Sequence, residues 1–485
     1  MILRDLPGAA KIEFDLIVVG GGIYGASVLN EAARRGLSAC LFDAGDFGGG
    51  TSSNSLRILH GGLRYLQTAD LRRFFQSVAA RRDMARKYSR LVRTLPCLMP
   101  LYGGLMKSPA VLRMALLAND TLGAARNVGL SNAHRLPRGE VLSVSQTQEV
   151  FPLVRPEGLR GAARWYDYFM VSSERLLIEQ LRGACAQGAL AINHARVEEI
   201  VVDSGAARGV VVRDEFSGSK VTVHARAVVN CAGPRVRDLA MGRGGDIPSL
   251  FRPSLAFNLL LDAKLPANAA LGVSSPQPNA PVLFLIPQAE TVLAGTMHLP
   301  RSAETTDAVP TPQEIQLFLS HIRGAVPGLD VGPEHVRRVF AGLLPAKAPE
   351  SALLSKRELI FDHGKLGGLR NFYSVSGVKY TTSNDVAIQV LQTVTGKRGA
   401  AQQGSQSTLS EATDLLIDVQ KLWSEPSAAV RQHLQRTVAE EAVQSIDDLL
   451  LRRTNWATTA RDLEPVRARL LELLPEFRIK KVINR

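Results

Sequence analysis

One short stretch of glycines constrains the fold of this chain more than any other feature. Residues 14–19 form an apolar run that predicts a buried strand, and residues 26–36 predict a helix that ends on a glycine. Between them lie Gly20, Gly22 and Gly25, in the pattern Gly-x-Gly-x-x-Gly. A turn with so few side chains lets backbone N–H groups approach a pyrophosphate at the helix N-terminus. The stretch therefore predicts a dinucleotide site.

A second strand supports this interpretation. Residues 38–42 predict a strand that ends at Asp43. An acidic side chain at that place accepts hydrogen bonds from a ribose. Strand, helix, second strand and acid follow each other in the order of a βαβ unit. A chance run of glycines in an ordinary turn is the weaker alternative.

The composition limits the classes of protein to consider. With 485 residues, 45% of them hydrophobic, the chain is long enough for two or three domains. It has no apolar run of about 18 residues, so no membrane-spanning helix is expected, and residues 1–13 lack the apolar segment of an export signal. The four cysteines form no Cys-x-x-Cys pair and predict reduced thiols in a cytoplasmic protein. The nine histidines show no metal-binding spacing, so no metal site is expected.

Basic residues outnumber acidic ones, 58 to 45, which gives a net charge of +13. Such a balance suits nucleic acid, an anionic membrane or an anionic ligand. No zinc-finger spacing, RNP motif or lysine-rich tail supports nucleic acid. Two locations stay open, the cytoplasm and peripheral contact with the inner face of the cell membrane. The apolar stretch 105–130, interspersed with basic residues, suits either a bilayer surface or the protein core.

The C-terminal part of the chain has a different organisation. Residues 172–395 alternate between strand and helix patterns, whereas residues 399–410 are polar and rich in Gln and Ser, as in a linker. Beyond them, residues 411–422, 427–451 and 459–474 show only helical patterns. We therefore expect a small all-α domain at the C-terminal end.

Several longer motifs give the chain a resemblance to a known family. They are Thr51-Ser52-Ser53, His60-Gly61-Gly62-Leu63-Arg64-Tyr65-Leu66, Trp165-Tyr166-Asp167, Val229-Asn230-Cys231-Ala232-Gly233-Pro234, Lys379-Tyr380-Thr381-Thr382 and Asp447-Asp448-Leu449-Leu450-Leu451-Arg452-Arg453-Thr454. With the glycine turn, they resemble the FAD-dependent glycerol-3-phosphate dehydrogenases, a branch of the D-amino-acid-oxidase-like flavoproteins. The resemblance covers residues 14–395 and extends into the helical tail.

The resemblance implies an α/β fold with a Rossmann-like FAD-binding domain that is discontinuous in sequence. An interleaved α+β substrate domain and the small all-α C-terminal domain complete it. The implied segments are 1–75, 165–245 and 345–398 for the FAD-binding domain, 76–164 and 246–344 for the substrate domain, and 411–485 for the helical domain.

FAD is the cofactor that the resemblance implies. Its adenine end would lie near the glycine turn and Asp43, and its pyrophosphate or ribityl chain near Thr51 and Ser52. The flavin ring would lie near His60 and the backbone of residues 377–379, where a helix N-terminus stabilises the anionic reduced flavin. The expected cofactor-binding residues are Gly20, Gly22, Ile23, Tyr24, Gly25, Asp43, Thr51, Ser52, Ser53, His60, Gly61, Gly62, Val197, Ala232, Gly233, Gly377, Val378 and Lys379.

The implied chemistry is hydride transfer from a substrate carbon to flavin N5 while a base takes the hydroxyl proton. By the resemblance, Arg64 and Lys379 act in catalysis and hold an anionic substrate, with Tyr65 and Arg357 beside them. An ordinary salt bridge within the loop is the alternative role for Arg64.

The chain departs from the family's pattern at four places, two of which are Gly295-Thr296-Met297-His298 in place of Gly-Thr-Thr-Asp and Gly377-Val378-Lys379 in place of Gly-Gly-Lys. Where the family has Gly-Val/Ile-Arg-Pro, this chain has Leu344 before its proline, so an aliphatic side chain replaces an arginine. Phe257 stands where the family has a histidine. Leu344 and Phe257 would then line an altered substrate pocket. His298 is the expected substitute proton acceptor, against the alternative of a structural histidine.

Three hypotheses for the function follow. The first is a flavin dehydrogenase that oxidises a secondary alcohol of a small anionic polyol such as glycerol 3-phosphate, with quinone or oxygen as electron acceptor. The second is a related flavin oxidoreductase for a modified sugar, another hydroxy compound or an amine, which Leu344 and Phe257 favour. The third is an FAD-binding module without turnover.

Overall fold

Two β-sheets and a helical C-terminal unit form the described part of the computed structural model, which covers residues 1–66, 68–104, 108–241, 247–396, 416, 418–424 and 427–477. The strands are β1 Glu13–Val19, β2 Ala39–Phe42, β3 Ile58–Leu59, β4 Val92–Tyr102, β5 Glu140–Leu142, β6 Leu159–Met170, β7 Leu190–Ile192, β8 Ala195–Asp203, β9 Ala206–Asp214, β10 Lys220–Asn230, β11 Pro253–Leu261, β12 Ala270–Val273, β13 Leu283–Gln288, β14 Thr291–Pro300, β15 Val336–Pro345, β16 Leu359–Asp362 and β17 Phe372–Ser376. The α-helices are α1 Leu6–Ala9, α2 Ile23–Arg34, α3 Leu63–Leu66, α4 Leu71–Lys87, α5 Pro109–Leu122, α6 Val144–Val150, α7 Ser173–Cys185, α8 Val236–Met241, α9 Pro312–Ala325, α10 Ser383–Thr395, α11 Lys421–Ser424, α12 Ser427–Glu440, α13 Ile446–Asp448, α14 Trp456–Thr459 and α15 Leu463–Leu473.

The first sheet has a parallel core, as expected for a Rossmann-like domain. Its strand order is β16-β17-β10-β1-β2-β7, with β9 paired to β10 and β8 to β9. Strand β1 runs parallel to β2 and β10, and their carboxyl ends meet at one edge because Val19 pairs with Phe42 and with Asn230. Helices α2, α7 and α10 pack on one face through buried apolar residues. The α/β fold class and the predicted β1-α2-β2 unit are confirmed.

The second sheet is larger and mostly antiparallel. Its order is β15-β11-β14-β13-β12-β4-β6-β3, and β5 pairs with β6. Strand β11 is buried along its whole length between β14 and β15. One face of these strands packs on α9, where the Phe257 and Phe318 ring centroids lie 5.3 Å apart. The opposite face is turned toward the loop that leaves the first sheet after β2.

Strands β4 and β6 form a long antiparallel pair that the sequence did not predict. Pro96 and Pro100 lie inside β4, and a proline cannot donate a ladder hydrogen bond, so the sequence pattern argues against a strand there. The expected division into domain segments stays a prediction. Strand β6 crosses the expected boundary between residues 164 and 165, and β3 belongs to the second sheet although it lies within the expected segment 1–75.

The C-terminal helices pack around their own apolar core, which includes Leu434, Leu449 and Trp456. The sequence pattern predicted one helix over residues 427–451, and this is wrong, because α12 ends at Glu440. The chain then turns so that Glu441 meets Arg175 of α7 before α13 begins. The predicted linker 399–410 and most of the predicted helix 411–422 lie outside the described residues.

Helix α5 lies within the stretch for which a bilayer surface and the core were both open. It buries only Leu112 and Leu116, and it leaves Met114 and Leu117 more than half exposed. Residues 105–107 lie outside the described part. Among the helices that the structure describes, none combines the length and the apolar character that crossing a membrane requires.

Candidate active site

The turn between β1 and α2 has no room for side chains. Gly20 has a φ angle of +99°, and a Cβ atom on it would lie 2.5 Å from the carbonyl oxygen of Cys231. A Cβ atom on Gly25 would lie 1.8 Å from the carbonyl oxygen of Gly20. Gly22 is the N-cap of α2 and has no side chain to cover the first helical turn. The glycines of this turn present only backbone, so the shape of the turn at the N-terminus of α2 fits the pyrophosphate of a dinucleotide such as FAD.

Asp43 and the loop after it are tied to this turn from two sides. The Asp43 carboxylate accepts hydrogen bonds from the N–H groups of Gly21, at 2.5 Å, and Gly45, at 2.8 Å. Burial raises the pKa of Asp43, although these two hydrogen bonds oppose the shift. The Ser52 hydroxyl accepts a hydrogen bond from the N–H of Ile23 at 3.0 Å. The expected ribose and pyrophosphate residues are therefore adjacent.

A third segment reaches the turn through Tyr24. The Tyr24 hydroxyl accepts a hydrogen bond from the N–H of Lys379 at 3.1 Å and donates one to the carbonyl of the same residue at 3.2 Å. A Cβ atom on Gly377 would lie 2.4 Å from this hydroxyl. A helix N-terminus was expected at residues 377–379, but α10 begins only at Ser383, so these residues form an open connection between β17 and α10.

The other expected cofactor residues lie around the same edge of the first sheet. Residues 232–233 follow β10, and the Cα atom of Ala232 lies 2.9 Å from the position of a Cβ atom on Gly20. The Thr51 hydroxyl donates to a backbone carbonyl of β15 at 2.9 Å and so joins the loop to the second sheet. Ser53 donates to a carbonyl of its own loop. Val197 lies on β8, which follows the segment hydrogen-bonded to Asp43.

A buried carboxylate fixes the segment that begins at His60. Asp167 accepts hydrogen bonds from the N–H of Gly61 at 2.8 Å, the guanidinium of Arg81 at 2.5 Å and the indole of Trp165 at 3.2 Å. His60 Nδ1 lies 3.4 Å from Asp167 Oδ2. Burial alone would raise the pKa of Asp167, but the hydrogen bond from His60 and the charge of Arg81 lower it to about 2. The carboxylate is charged at neutral pH and holds the His60–Gly61 backbone in place.

The expected substrate cations lie close to Tyr65 or to the connection between β17 and α10. The ammonium of Lys379 lies 4.6 Å from the centroid of the Tyr65 ring, a cation–π distance. Arg64 precedes Tyr65 in α3 and is exposed. Arg357 lies beside Glu358, which accepts a hydrogen bond from Thr382 near the same connection. Among the described residues, none pairs its charge with Arg64, Lys379 or Arg357, so the loop salt bridge considered for Arg64 is not present there.

Phe257 does not line the pocket, and the expectation from the sequence is wrong. Its side chain is 0% exposed and packs edge-on against Phe318 of α9. The next residue, Asn258, faces the other side of β11. Its amide donates to the carbonyl of Asn54 at 2.8 Å, and its oxygen accepts from the Thr296 hydroxyl at 2.8 Å. Strand alternation thus makes Asn258 the residue on the cofactor side.

Leu344 lies on the cofactor side of β15. It follows Gly342 by two residues, which places both on one face of the strand. We call the loop after β2, residues 43–57, the cofactor loop. Gly342 packs so closely on it that a Cβ atom on Gly342 would lie 2.7 Å from the Thr51 hydroxyl. The partly exposed Leu344 side chain thus occupies an aliphatic position beside this loop.

His298 is an isolated and mostly buried imidazole. It lies two residues after Thr296 on β14 and pairs with Ala256 of β11, so it shares the face that is turned toward the cofactor loop. Its Nδ1 atom is buried and has no hydrogen-bond partner among the described residues. Burial lowers the pKa of His298 to about 4. The ring is therefore neutral at neutral pH and keeps one nitrogen unused.

Four residues of this site were not expected from the sequence, namely Asp167, Arg81, Asn258 and Thr296. Asp167 belongs to a motif that supported the resemblance, yet its role depends on a contact with a distant glycine. The sequence does not distinguish Arg81 from the other arginines of α4, and only the fold shows that it is buried. Asn258 and Thr296 meet only through the pairing of β11 with β14.

Several known proteins are similar in sequence to this chain. A family model described as FAD dependent oxidoreductase matches residues 15–382. The chain is 30% identical over 345 residues to the alpha-glycerophosphate oxidase of Streptococcus pneumoniae, which covers 70% of this chain and 55% of that protein. It is 26% identical over 409 residues to the glycerol-3-phosphate dehydrogenase of a Synechocystis species, covering 81% of this chain and 72% of that protein. The chain thus spans about half the length of the first of these relatives.

Solved structures show the same fold. The glycerol-3-phosphate dehydrogenase of Bacillus halodurans, solved in complex with FAD, superposes with a TM-score of 0.72 at 21% identity. The superposition covers 99% of this chain and 94% of that protein. At this identity the likeness establishes the fold.

Asp167→Asn tests how much the buried carboxylate contributes. The pKa of Asp167 falls from 3.8 to about 2 on folding, so its stabilisation is complete above pH ~4 and is lost as the pH falls through about 2. The free energy of unfolding should differ between wild type and variant by about 3–5 kcal/mol at pH 7, because Arg81 loses its buried partner. The difference should shrink by about 2 kcal/mol by pH 2.

Urea unfolding followed by tryptophan fluorescence measures both differences. The control is Asp238→Asn, which alters a carboxylate whose side chain is 55% exposed. It should leave the free energy of unfolding within about 0.5 kcal/mol of wild type. A difference for Asp167→Asn that is constant between pH 7 and pH 2 would contradict the pKa shift.

Proposed function

Because the chain belongs to the family of FAD-dependent oxidoreductases, we propose that it oxidises a CH–OH group of a small anionic hydroxy compound, with glycerol 3-phosphate as the first candidate. One observation carries the proposal. The backbone of Lys379 is hydrogen-bonded to Tyr24, at the start of α2 after the glycine turn, while its ammonium lies on the ring of Tyr65. The backbone of Lys379 is thereby tied to the cofactor cradle, and its ammonium has no ion-pair partner among the described residues.

The residues of the chain have separate tasks in this proposal. FAD, when bound, supplies the acceptor for the two electrons. Lys379 and Arg64 bind the anionic group of the substrate and orient its carbon, and Arg357 adds a third positive charge nearby. His298 accepts the hydroxyl proton, since its imidazole is neutral and lies on the face of the second sheet that is turned toward the loop after β2. Asp167 keeps the His60–Gly61 backbone in position.

Leu344 replaces the arginine of the family's pattern beside the loop after β2. An aliphatic side chain there offers no hydrogen bond to a phosphate, which favours a substrate with less charge at that end. The names of the relatives include an oxidase and a dehydrogenase, so oxygen and a quinone are both candidate electron acceptors. A free polyol, a hydroxy acid or an amine as substrate is the second candidate function.

Anaerobic mixing of the FAD-loaded protein with one candidate substrate at a time tests the function. We expect glycerol 3-phosphate to bleach the flavin absorbance near ~450 nm. Leu344→Arg should lower the concentration for half-maximal bleaching about ten- to hundredfold, because a charged hydrogen bond to a phosphate adds about 1.5–3 kcal/mol. Readmission of air or of a quinone analogue then identifies the acceptor.

Leu353→Arg is the matched control for this experiment. It adds the same charge on the segment after β15, at a side chain that is 68% exposed, and should leave the half-maximal concentration unchanged. Bleaching by a free polyol or an amine alone would replace the proposed substrate with the second candidate. Flavin that no compound reduces would contradict the enzyme proposal and favour a binding module.

His298→Gln tests the proposed proton acceptor. Glutamine keeps a polar side chain but cannot take up the proton, so we expect the rate of flavin reduction to fall about 100- to 10,000-fold while FAD remains bound. In wild type the rate should fall as the pH drops below about 4, where His298 becomes protonated, and this limb should vanish in the variant. Stopped-flow absorbance over a pH series measures the rate.

His321→Gln is the matched control for His298→Gln. His321 is also buried with an unpartnered Nδ1 atom, but it lies on α9, behind the second sheet. Its replacement should leave the rate of flavin reduction unchanged. Equal losses in the two variants, or an unchanged rate in His298→Gln, would remove His298 from the proposed chemistry.

We also propose that α5 places the protein on the inner face of an anionic membrane. Met114 and Leu117 of α5 are 67% and 58% exposed, and Phe75 of α4 is 47% exposed. Arg72 and Arg113 are exposed on the same two helices, and the whole chain carries a net charge of +13. Exposed apolar side chains together with exposed arginines on these two helices suit a bilayer with anionic headgroups.

Co-sedimentation with vesicles of phosphatidylcholine and phosphatidylglycerol in equal amounts tests this contact. Met114→Glu with Leu117→Glu should weaken binding about tenfold or more, because two apolar side chains no longer enter the bilayer. The control pair Leu353→Glu with Leu366→Glu, both 68% exposed in wild type, adds the same charge elsewhere. Equal binding of the two double variants, or none by wild type, would contradict the proposal.

A further inference from the structure

A buried cluster of charges joins the C-terminal helices to the first sheet, and the proposed chemistry does not use it. Its centre is Arg453, whose side chain is 0% exposed. The Arg453 guanidinium donates to both carboxylate oxygens of Asp46, at 2.7 and 2.8 Å, and to the carbonyl of Glu441 at 3.0 and 3.1 Å. Arg452 donates to Asp46 at 2.6 Å. We call Asp46, Arg452 and Arg453 the arginine junction.

The arginine junction holds the loop that follows β2, and this loop touches the glycine turn. The N–H of Gly48 donates to the carbonyl of Gly21 at 3.0 Å. The Phe47 ring reaches within 2.8 Å of the position that a Cβ atom on Gly21 would occupy. The guanidinium carbon of Arg453 lies 6.0 Å from the centroid of that ring. Direct contacts therefore run from the C-terminal helices to the cradle that fits a pyrophosphate.

Two simpler roles explain the cluster less well. Asp46, His194 and Asp448 offer atoms within 4.8 Å of one another, as ligands of a metal ion would. However, both oxygens of Asp46 already face the guanidinium groups of Arg452 and Arg453, so positive charge is supplied from within the chain. A metal ion would have to displace them.

Attachment of the helical domain does not by itself explain the arginine junction, because other contacts also attach that domain. Arg175 of α7 makes two hydrogen bonds of 2.7 Å to the Glu441 carboxylate. Arg338 of β15 donates to backbone carbonyls of the helical domain at residues 456, 457 and 460. The domain is thus fixed to both sheets independently of Asp46.

We propose that Arg453 is a positioning residue for FAD. From the C-terminal domain it fixes the Asp46–Phe47 loop, and through this loop it sets the glycine turn that receives the pyrophosphate. The helical domain is then part of the cofactor site. Without Arg453, Asp46 keeps a buried charge without its main partner, and the loop repacks. Only the fraction of molecules with the loop in place binds FAD, so the apparent affinity falls by that fraction.

Titration of the apoprotein with FAD, followed by quenching of flavin fluorescence, tests the proposal. Arg453→Met and Asp46→Asn should each raise the dissociation constant about tenfold or more. The double variant Asp46→Asn with Arg453→Met should bind FAD no more weakly than the single variant with the larger dissociation constant, because both changes remove the same contact. Arg453→Lys keeps the charge but not the bidentate contact, so its FAD dissociation constant should lie between those of wild type and Arg453→Met.

Arg338→Met is the matched control, since it loosens the same domain from the side of the second sheet. It should lower the thermal stability of the apoprotein but leave the FAD dissociation constant within about twofold of wild type. Should Arg453→Met fail to fold, Arg452→Met removes one hydrogen bond from Asp46 at a residue that is 15% exposed and should give an intermediate loss.

The outcomes separate a positioning role from a general structural role. A general role predicts that Arg338→Met and Arg453→Met weaken FAD binding equally, which would overturn the proposal. Unchanged FAD binding in Arg453→Met, or losses that add in the double variant, would overturn it as well. A selective, non-additive loss of FAD affinity at Asp46 and Arg453 supports it. The titration measures binding alone, so its result does not depend on the substrate.

Discussion

The rest of the structure depends on one constraint, the close contact between backbone segments at the glycine turn. Gly20 lies against the carbonyl of Cys231, and Gly25 lies against Gly20, with no space for a Cβ atom. Such contacts require β1 and β10 to be parallel neighbours with their carboxyl ends level, as they are. Asp43, Ser52 and the connection after β17 then reach the same point. The cofactor cradle is thus a consequence of strand order.

The parts of the site that the sequence predicted are those whose determinants are local. The strand, turn and helix from residue 14 to residue 43 follow from apolar periodicity and from glycines at fixed offsets. The segment from His60 to Tyr65 and the position of Lys379 came with the resemblance, and the structure brings Lys379 and Tyr65 into contact. Only short-range chemistry, or a motif long enough to be specific, was needed in each case.

The parts that could not be predicted depend on contacts between distant segments. Phe257 and Asn258 are adjacent in sequence, and only the register of β11 against its neighbours decides which of them faces the cofactor. The helix predicted over residues 427–451 ends at Glu440, and the next residue, Glu441, pairs in the interior with Arg175, which is far away in sequence. Asp167 gains its role from the N–H of Gly61 in the same way. Periodicity carries no information about such pairs.

The central claim is that a turn without side chains holds FAD, and the FAD content of the purified protein tests it most directly. Absorbance of the released flavin, divided by protein concentration, should give one FAD per chain for wild type and for the control Gly183→Ala, where the nearest atom lies at an ordinary 3.5 Å. Gly25→Val should bind none, because its side chain would occupy the backbone of Gly20. A Gly25→Val protein that folds and retains one FAD per chain would contradict the account.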